Sequence, residues 1–313
     1  MSGILVTGKD GQVGFELLSS LAGQGQIIAV GREQMDLSKP DSIRRTVREI
    51  GPDLIVNAAA YTAVDQAESE PELAMAVNGI APGIIAEEAK RLGAALIHYS
   101  TDYVFGGNLF DGNIFDGKAA AAPYTEDDAP CPINVYGRTK LEGERAIQAV
   151  DMPHLILRTS WIYSMRGKNF LLTILRLAQE RDELRVVDDQ IGAPTWSRAL
   201  ARATKGILKR LGYGKPGFID ACAEQSGLYH LSAAGHASWH GFAAAILENV
   251  ASLEHGLLDR VPLLKPISTE QYPLPARRPH YSVLGNAKLQ RAFGVVMPDW
   301  KTSLAECMSS GRQ

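Results

Sequence analysis

Five short apolar runs, each separated from the next by a longer helical pattern, constrain this chain more than any other feature of its sequence. The runs are Ile4–Val6, Gln26–Val30, Leu54–Asn57, Leu96–Ser100 and His154–Arg158. Between them, the spacing predicts helices from about Gln12, over Asp41–Glu49, over Glu72–Leu92 and over Tyr136–Val150. Short β-branched strands alternating with amphipathic helices build βαβ units and a parallel sheet buried on both faces. Ligands of such sheets sit outside the carboxyl ends of the strands. The residues at those ends, Asn57-Ala58-Ala59-Ala60 and Ser100-Thr101-Asp102, therefore become candidates for chemistry.

The first strand runs into Thr7-Gly-Lys-Asp-Gly-Gln-Val-Gly14. Backbone N–H groups can reach a pyrophosphate at a helix N-terminus only where side chains are absent, which glycine provides at Gly8 and Gly11. Gly14 lets the helix approach the strand closely. The spacing, G-x-x-G-x-x-G, is wider than the usual dinucleotide fingerprint, and an ordinary strand-to-helix turn would look similar. At the end of the second strand, where an acid would select NAD, the chain reads Gly31-Arg32. A cation without an acid tolerates or attracts a 2′-phosphate, so NADPH is expected, with NADH also used. Asp36 and Leu37 could border the adenine, although Asp36 equally suits a turn or a helix cap.

Tyr136 and Lys140 stand one helical turn apart on a shared face. A phenol titrates near ~10, and a neighbouring ammonium lowers that value. Tyr136 is the expected proton donor to a ketone oxygen, with Lys140 as its partner and Thr101 donating a hydrogen bond to the same oxygen; Lys140 could also hold the nicotinamide ribose, so Tyr136 and Lys140 count among the cofactor-binding residues as well. Arg277 and Arg278, in a proline-constrained segment, are the cations best placed for a diphosphate; Arg278 is the one expected to bind substrate. Trp161 could stack on a flat substrate or fill core. His236 and His240 lack a third metal ligand, and Ser100 lacks a nucleophile-elbow context.

The 313 residues suit one large or two interlocked domains: 1–188 mainly dinucleotide-binding, with a strand near 228–231 returning to it, and 189–313 mainly a substrate-binding lobe. Hydrophobic residues at 45% and charged residues at 21% describe a globular chain, and a net charge of −3 with mixed signs excludes a nucleic-acid stripe. Three scattered cysteines fit a reducing compartment. No stretch approaches the roughly 18 apolar residues of a membrane helix, and no signal peptide is read. A cytoplasmic protein is expected, without membrane or nucleic-acid partners. Residues 106–134, rich in Gly and Pro, read as a long surface loop or lid.

Further segments join these motifs: Asn57-Ala-Ala-Ala-Tyr-Thr-Ala-Val-Asp-Gln-Ala-Glu68, Ser100-Thr-Asp-Tyr-Val-Phe105, Asn134-Val-Tyr-Gly-Arg-Thr-Lys140, Arg158-Thr-Ser-Trp161, Asp189-Gln-Ile-Gly-Ala-Pro-Thr195 and Pro275-Ala-Arg-Arg-Pro279. With them the chain resembles the extended short-chain dehydrogenase/reductases, and within them the reductases of dTDP-linked 4-keto-6-deoxyhexoses. The resemblance implies a Rossmann-like, doubly wound α/β fold with a smaller, interleaved C-terminal substrate lobe. It implies NAD(P)H-dependent reduction of the C4 ketone of dTDP-4-dehydro-β-L-rhamnose to dTDP-L-rhamnose. By position it assigns Tyr136, Lys140 and Thr101 to catalysis, and Gly11, Gln12 and Val13 to the phosphate turn. Asp36 and Leu37 fall on the adenine side, Ala60, Tyr61 and Thr62 on the third strand, and Thr101, Asp102 and Trp161 on the substrate. Some relatives dimerise through a carboxylate-bound magnesium, but Arg198 stands where one carboxylate would be. No metal is therefore expected, and a homodimer is left open. Two alternatives stay open: a reductase of another nucleotide-linked 4-keto sugar or of the opposite C4 epimer, and a non-catalytic regulatory subunit of the same fold.

Overall fold

The computed structural model describes residues 3–106, 122–251 and 261–310. Six strands form the central sheet: β1 Gly3–Thr7, β2 Gln26–Val30, β3 Leu54–Asn57, β4 Ala95–Thr101, β5 His154–Thr159 and β6 Gly227–His230. Their spatial order is β2-β1-β3-β4-β5-β6 and every neighbouring pair is parallel. Alternate residues feed separate cores. Ile4, Val6, Leu54, Val56, Ile97 and Leu157 pack on one face, and Leu5, Ile55, Leu96 and Ile156 on the other. Burial on both faces is why these strands read as unbroken apolar runs.

The first face is covered by α1 Gln12–Ser20 and by helices from later in the chain. The second is covered by α2 Pro40–Ile50 and α3 Ala81–Leu92. From β1 the chain passes to β2 at the sheet edge and then returns to β3 on the other flank of β1. That reversal opens a crevice beyond the carboxyl ends of β1 and β3. α1 starts at the crevice and lies so close to β1 that a Cβ on Gly14 would fall 2.0 Å from the Gly8 carbonyl oxygen.

One expected helix divides. The pattern over Glu72–Leu92 becomes an α-helical turn Pro71–Met75, a π-helical turn Ala76–Ile80, and α3. Pro82 has no N–H to close the ordinary bond to the Asn78 carbonyl. Separately, the Asn78 side chain binds the backbone of Tyr61, accepting from its N–H at 2.9 Å and donating to its carbonyl at 3.0 Å. A single π-helical turn between two α-helical stretches has no separate mark in the residue pattern, so the sequence reads as one helix.

α4 Val135–Gln148 is capped by the Asn134 side chain, which accepts from the Gly137 N–H at 2.7 Å. Gly137 also permits a close approach: a Cβ there would lie 2.1 Å from the Tyr103 carbonyl oxygen, just beyond β4. This contact sets Tyr136 against the end of β4. Most of the segment read as a lid, residues 107–121, lies outside the described residues. Beyond it, Tyr124 is joined to the C-terminal region through Tyr124 N–H to Val283 O and Gly285 N–H to Tyr124 O, both 2.8 Å. None of the described helices is long and apolar enough to cross a membrane.

The contact between α1 and β1 gives a stability test. Gly14→Ala should destabilise the fold by about 1–3 kcal/mol, the usual cost of overpacking, because its methyl group meets backbone that cannot rotate away. Urea unfolding measures this; an unchanged midpoint would show that α1 moves off the strand without cost.

Candidate active site

A cleft of about 760 Å³ runs across the carboxyl ends of β1 to β4. One end is walled by Gly8, Gly11, Gln12, Val13, Gly31, Arg32, Asp36 and Leu37, the middle by Ala60, Tyr61 and Thr62, and the floor by Thr101, Asp102 and Tyr136. α1 begins behind Gly11, and no side chain caps its first turn. An uncapped helix head beside a turn without side chains is suited to a phosphate. Gly14 stands behind this wall and acts through the close approach of helix and strand. Asp36 has the turn geometry: its carboxylate accepts from the Ser38 N–H at 3.0 Å and hydroxyl at 2.7 Å. The Ser38 hydroxyl, with Lys39 and Arg32 nearby, holds it below the usual carboxylate range.

β4 carries the polar groups of the floor. Asp102 is buried, and its carboxylate accepts from the hydroxyls of Ser282 at 2.6 Å, Ser160 at 2.9 Å and Thr101 at 3.2 Å. Burial raises its pKa to about 6, with the Ser282, Ser160 and Thr101 hydrogen bonds opposing the shift. Those contacts use both carboxylate oxygens, so Asp102 orients Thr101 while it lines the cleft. Thr101 also accepts from the Tyr103 N–H at 3.1 Å, which fixes its side chain. The Tyr136 phenol stands beside the Thr101 hydroxyl on the cleft floor, and that hydroxyl favours its ionised form. Burial pushes the phenol up to about 12, against that effect and with the Asp102 charge. Tyr136 is accordingly protonated at neutral pH.

Lys140 departs from the sequence expectation. It shares the helix face with Tyr136, but its Nζ lies beneath the cleft, donating to the Tyr99 carbonyl at 2.6 Å and 3.1 Å from His98 Nε2. The phenol is therefore raised by burial rather than lowered by the ammonium. Burial also brings Lys140 down to about 8, with Glu144 opposing, and holds His98 well below its usual value. The chain of polar groups continues from His98 Nδ1 to the Asn57 amide at 2.9 Å and from there to the Thr7 hydroxyl at 2.6 Å. Turning the Asn57 amide over reverses the direction of this chain, so it accommodates Lys140 in either protonation state.

Trp161 does face the cleft, at a backbone φ of 43°, and its indole stacks on Trp239 with ring centres 3.4 Å apart. Arg278 lies next to the cleft, in contact with Tyr103 of its wall. Its guanidinium grips Asp65 through two bonds of 2.5 and 2.6 Å and does not line the cleft. It holds the Asp65 carboxyl below the usual range and fastens the C-terminal segment to the helix after β3. Sequence reasoning missed Ser160, Ser282, His98, Asn78 and Trp239. Only His98 carried a signal, as a lone polar ring inside an apolar strand.

The family described as RmlD substrate binding domain matches residues 1–312. The dTDP-4-dehydrorhamnose reductase of Burkholderia thailandensis is 45% identical, the match covering 97% of each chain. Among solved structures, a dTDP-4-dehydrorhamnose reductase from Clostridium acetobutylicum superposes with a TM-score of 0.85 at 33% identity, over 99% of this chain and 100% of that one. A Bacillus anthracis dTDP-4-dehydrorhamnose reductase in complex with NADP gives 0.83 at 32% identity, over 99% and 100%. The chain belongs to the dTDP-4-dehydrorhamnose reductase family. Membership makes it an oxidoreductase with a Rossmann-like parallel sheet, and it places the cleft floor in a known chemical setting.

Within this reductase family member, Asp102 gives a pH test with a defined sign. Its folded pKa, about 6, lies above the ordinary carboxylate value of 3.8, so the native state binds more protons between the two and its stability falls as pH rises through that window. Activity runs the other way. Below about pH 6 the protonated carboxyl no longer accepts from all three hydroxyls and Thr101 is released. A kcat/KM profile should fall on the acid side of about pH 6, and Asp102→Asn should remove that limb and lower the plateau by roughly tenfold. A limb of unchanged position in the variant would assign it to another group.

Proposed function

We propose that this chain reduces the C4 ketone of dTDP-4-dehydro-β-L-rhamnose to dTDP-L-rhamnose with NADPH. The observation that carries the reading is the half-buried Tyr136 phenol, kept protonated beside Thr101 on the floor of a cleft that begins at an uncapped helix head. The residues present suit a dinucleotide. The α1 turn receives its phosphates, Ala60–Thr62 flank it beyond β3, and Arg32, where an acid would reject a 2′-phosphate, favours NADPH. The Bacillus anthracis relative in complex with NADP supports the same cofactor. When bound, the reduced nicotinamide supplies a hydride.

The residues of the chain manage the proton. Tyr136 donates its phenolic proton to the ketone oxygen as that oxygen gains charge. The Thr101 hydroxyl, held by Asp102 and the Tyr103 N–H, fixes where the oxygen sits. Burial keeps the phenol from ionising before the transfer. The stacked indoles of Trp161 and Trp239 form a flat apolar wall for the sugar face and exclude water from the reacting atoms.

Tyr136→Phe removes the proton and keeps the ring. Turnover of NADPH with the dTDP-linked ketone should fall by about 10²–10⁴-fold, while NADP⁺ affinity changes by less than about threefold. Retention of more than about half the turnover, under conditions where chemistry limits the rate, would remove Tyr136 from the reaction.

A further inference from the structure

Beside the head of α1, the loop joining Tyr163 to the helix Phe170–Glu180 brings two further cations into the cleft wall, Arg166 and Lys168. The loop is tied to the α1 turn. Gln12 Oε1 accepts from the Ser164 hydroxyl at 2.7 Å and from Asn169 Nδ2 at 2.9 Å. Asn169 also donates to the Ser164 carbonyl at 2.9 Å and the Arg166 carbonyl at 3.1 Å, so the loop closes on itself. The Arg166 guanidinium carbon stands 3.6 Å from the centre of the Phe15 ring, in the first turn of α1. A cation stacked on an aromatic face is held in place without being neutralised.

The charge at this point is unanswered. Arg166 Nη1 is buried without a hydrogen-bond partner, and neither Arg166 nor Lys168 forms an ion pair among the described residues. The nearby acid on the turn, Asp10, is engaged by Lys9 at 3.0 Å. Arg32, the other cation of the cleft wall, stands beyond β2 beside Asp36. Arg278, the cation expected from sequence to meet a diphosphate, is neutralised by Asp65. An orphaned guanidinium N–H at an uncapped helix head is complementary to phosphate oxygens, which accept from N–H groups of both kinds.

We propose that Ser164–Asn169 forms a second wall of the cofactor site, in which Arg166 and Lys168 bind the diphosphate of the dinucleotide together with the α1 amides. The proposal rests on the NADPH reading above. Two diphosphates come to this cleft, one in the dinucleotide and one in the sugar nucleotide. The anchoring of the loop to Gln12 and Phe15 assigns these cations to the first.

Isothermal titration calorimetry on the full-length apo protein separates the cases, using NADP⁺, adenosine 2′-monophosphate (which has the 2′-phosphate and no diphosphate) and dTDP. Arg166→Met keeps an apolar contact with Phe15 and removes the charge. It should weaken NADP⁺ by about tenfold, and a double variant with Lys168→Met by more. The affinities for adenosine 2′-monophosphate and dTDP should stay within twofold, and the dependence of NADP⁺ affinity on salt should become shallower. Arg166→Lys, which keeps the charge, should recover part of the loss even if the Met variant is less stable. NADP⁺ affinity within twofold of wild type in the double variant would overturn the proposal. Weakening of dTDP with NADP⁺ unchanged would overturn it in favour of the sugar nucleotide, and equal weakening of all three ligands would reduce the loop to a structural role. Failure of the wild type to bind NADP⁺ would overturn the cofactor reading and this inference with it.

Discussion

Asp102 is a buried carboxylate answered by three hydroxyls, and most of the site is arranged around that fact. An ionised carboxylate removed from water costs several kcal/mol unless donors replace the water it has lost. The donors here come from three parts of the chain: Thr101 at the end of β4, Ser160 just after β5, and Ser282 far along in the C-terminal region. The same contacts therefore limit the cost of the charge, orient the hydroxyl that faces Tyr136, and fasten the C-terminal region to the sheet. A shift of Ser282 would be felt at Thr101, which couples the outer part of the molecule to its reacting end.

Beneath this layer lies a second one that holds α4. Lys140 reaches the Tyr99 carbonyl and His98, while Glu144, one turn further, accepts from Arg158 at 2.9 and 2.7 Å. Breaking a buried pair such as Glu144–Arg158 leaves an uncompensated charge, which is more costly than the pair is stabilising. The helix is thus fixed by polar groups on its inner face, and by Gly137 at its start, in the one position that presents Tyr136 to Thr101. Partial burial on the cleft floor keeps the phenol protonated.

The sheet was legible because parallel strands buried on both faces produce apolar runs that no exposed element imitates, and Gly8 to Gly14 marked where the first of them meets its helix. The helix face shared by Tyr136 and Lys140 was legible from their spacing. Their contact was not, because the lysine stem is long enough to turn beneath the strand and find the Tyr99 carbonyl. The Arg278–Asp65 pair was not legible for a related reason. Asp65 lies 213 residues away from Arg278, and nothing local announces that the charge is already neutralised. Ser160 and Ser282 are single serines without pattern. The π-helical turn Ala76–Ile80 just before Pro82 has no distinct mark in the sequence.

In the proposed reaction the hydride adds to one face of the sugar C4 carbon, and Tyr136 supplies the proton to its oxygen. The most direct measurement is proton NMR of the product formed when the protein is given NADPH and enzymatically generated dTDP-4-dehydro-β-L-rhamnose. NADPH oxidation should be stoichiometric, with a single product, dTDP-L-rhamnose. A C4 epimer of that sugar, or no conversion by folded protein that still binds NADP⁺, would contradict the proposed reaction.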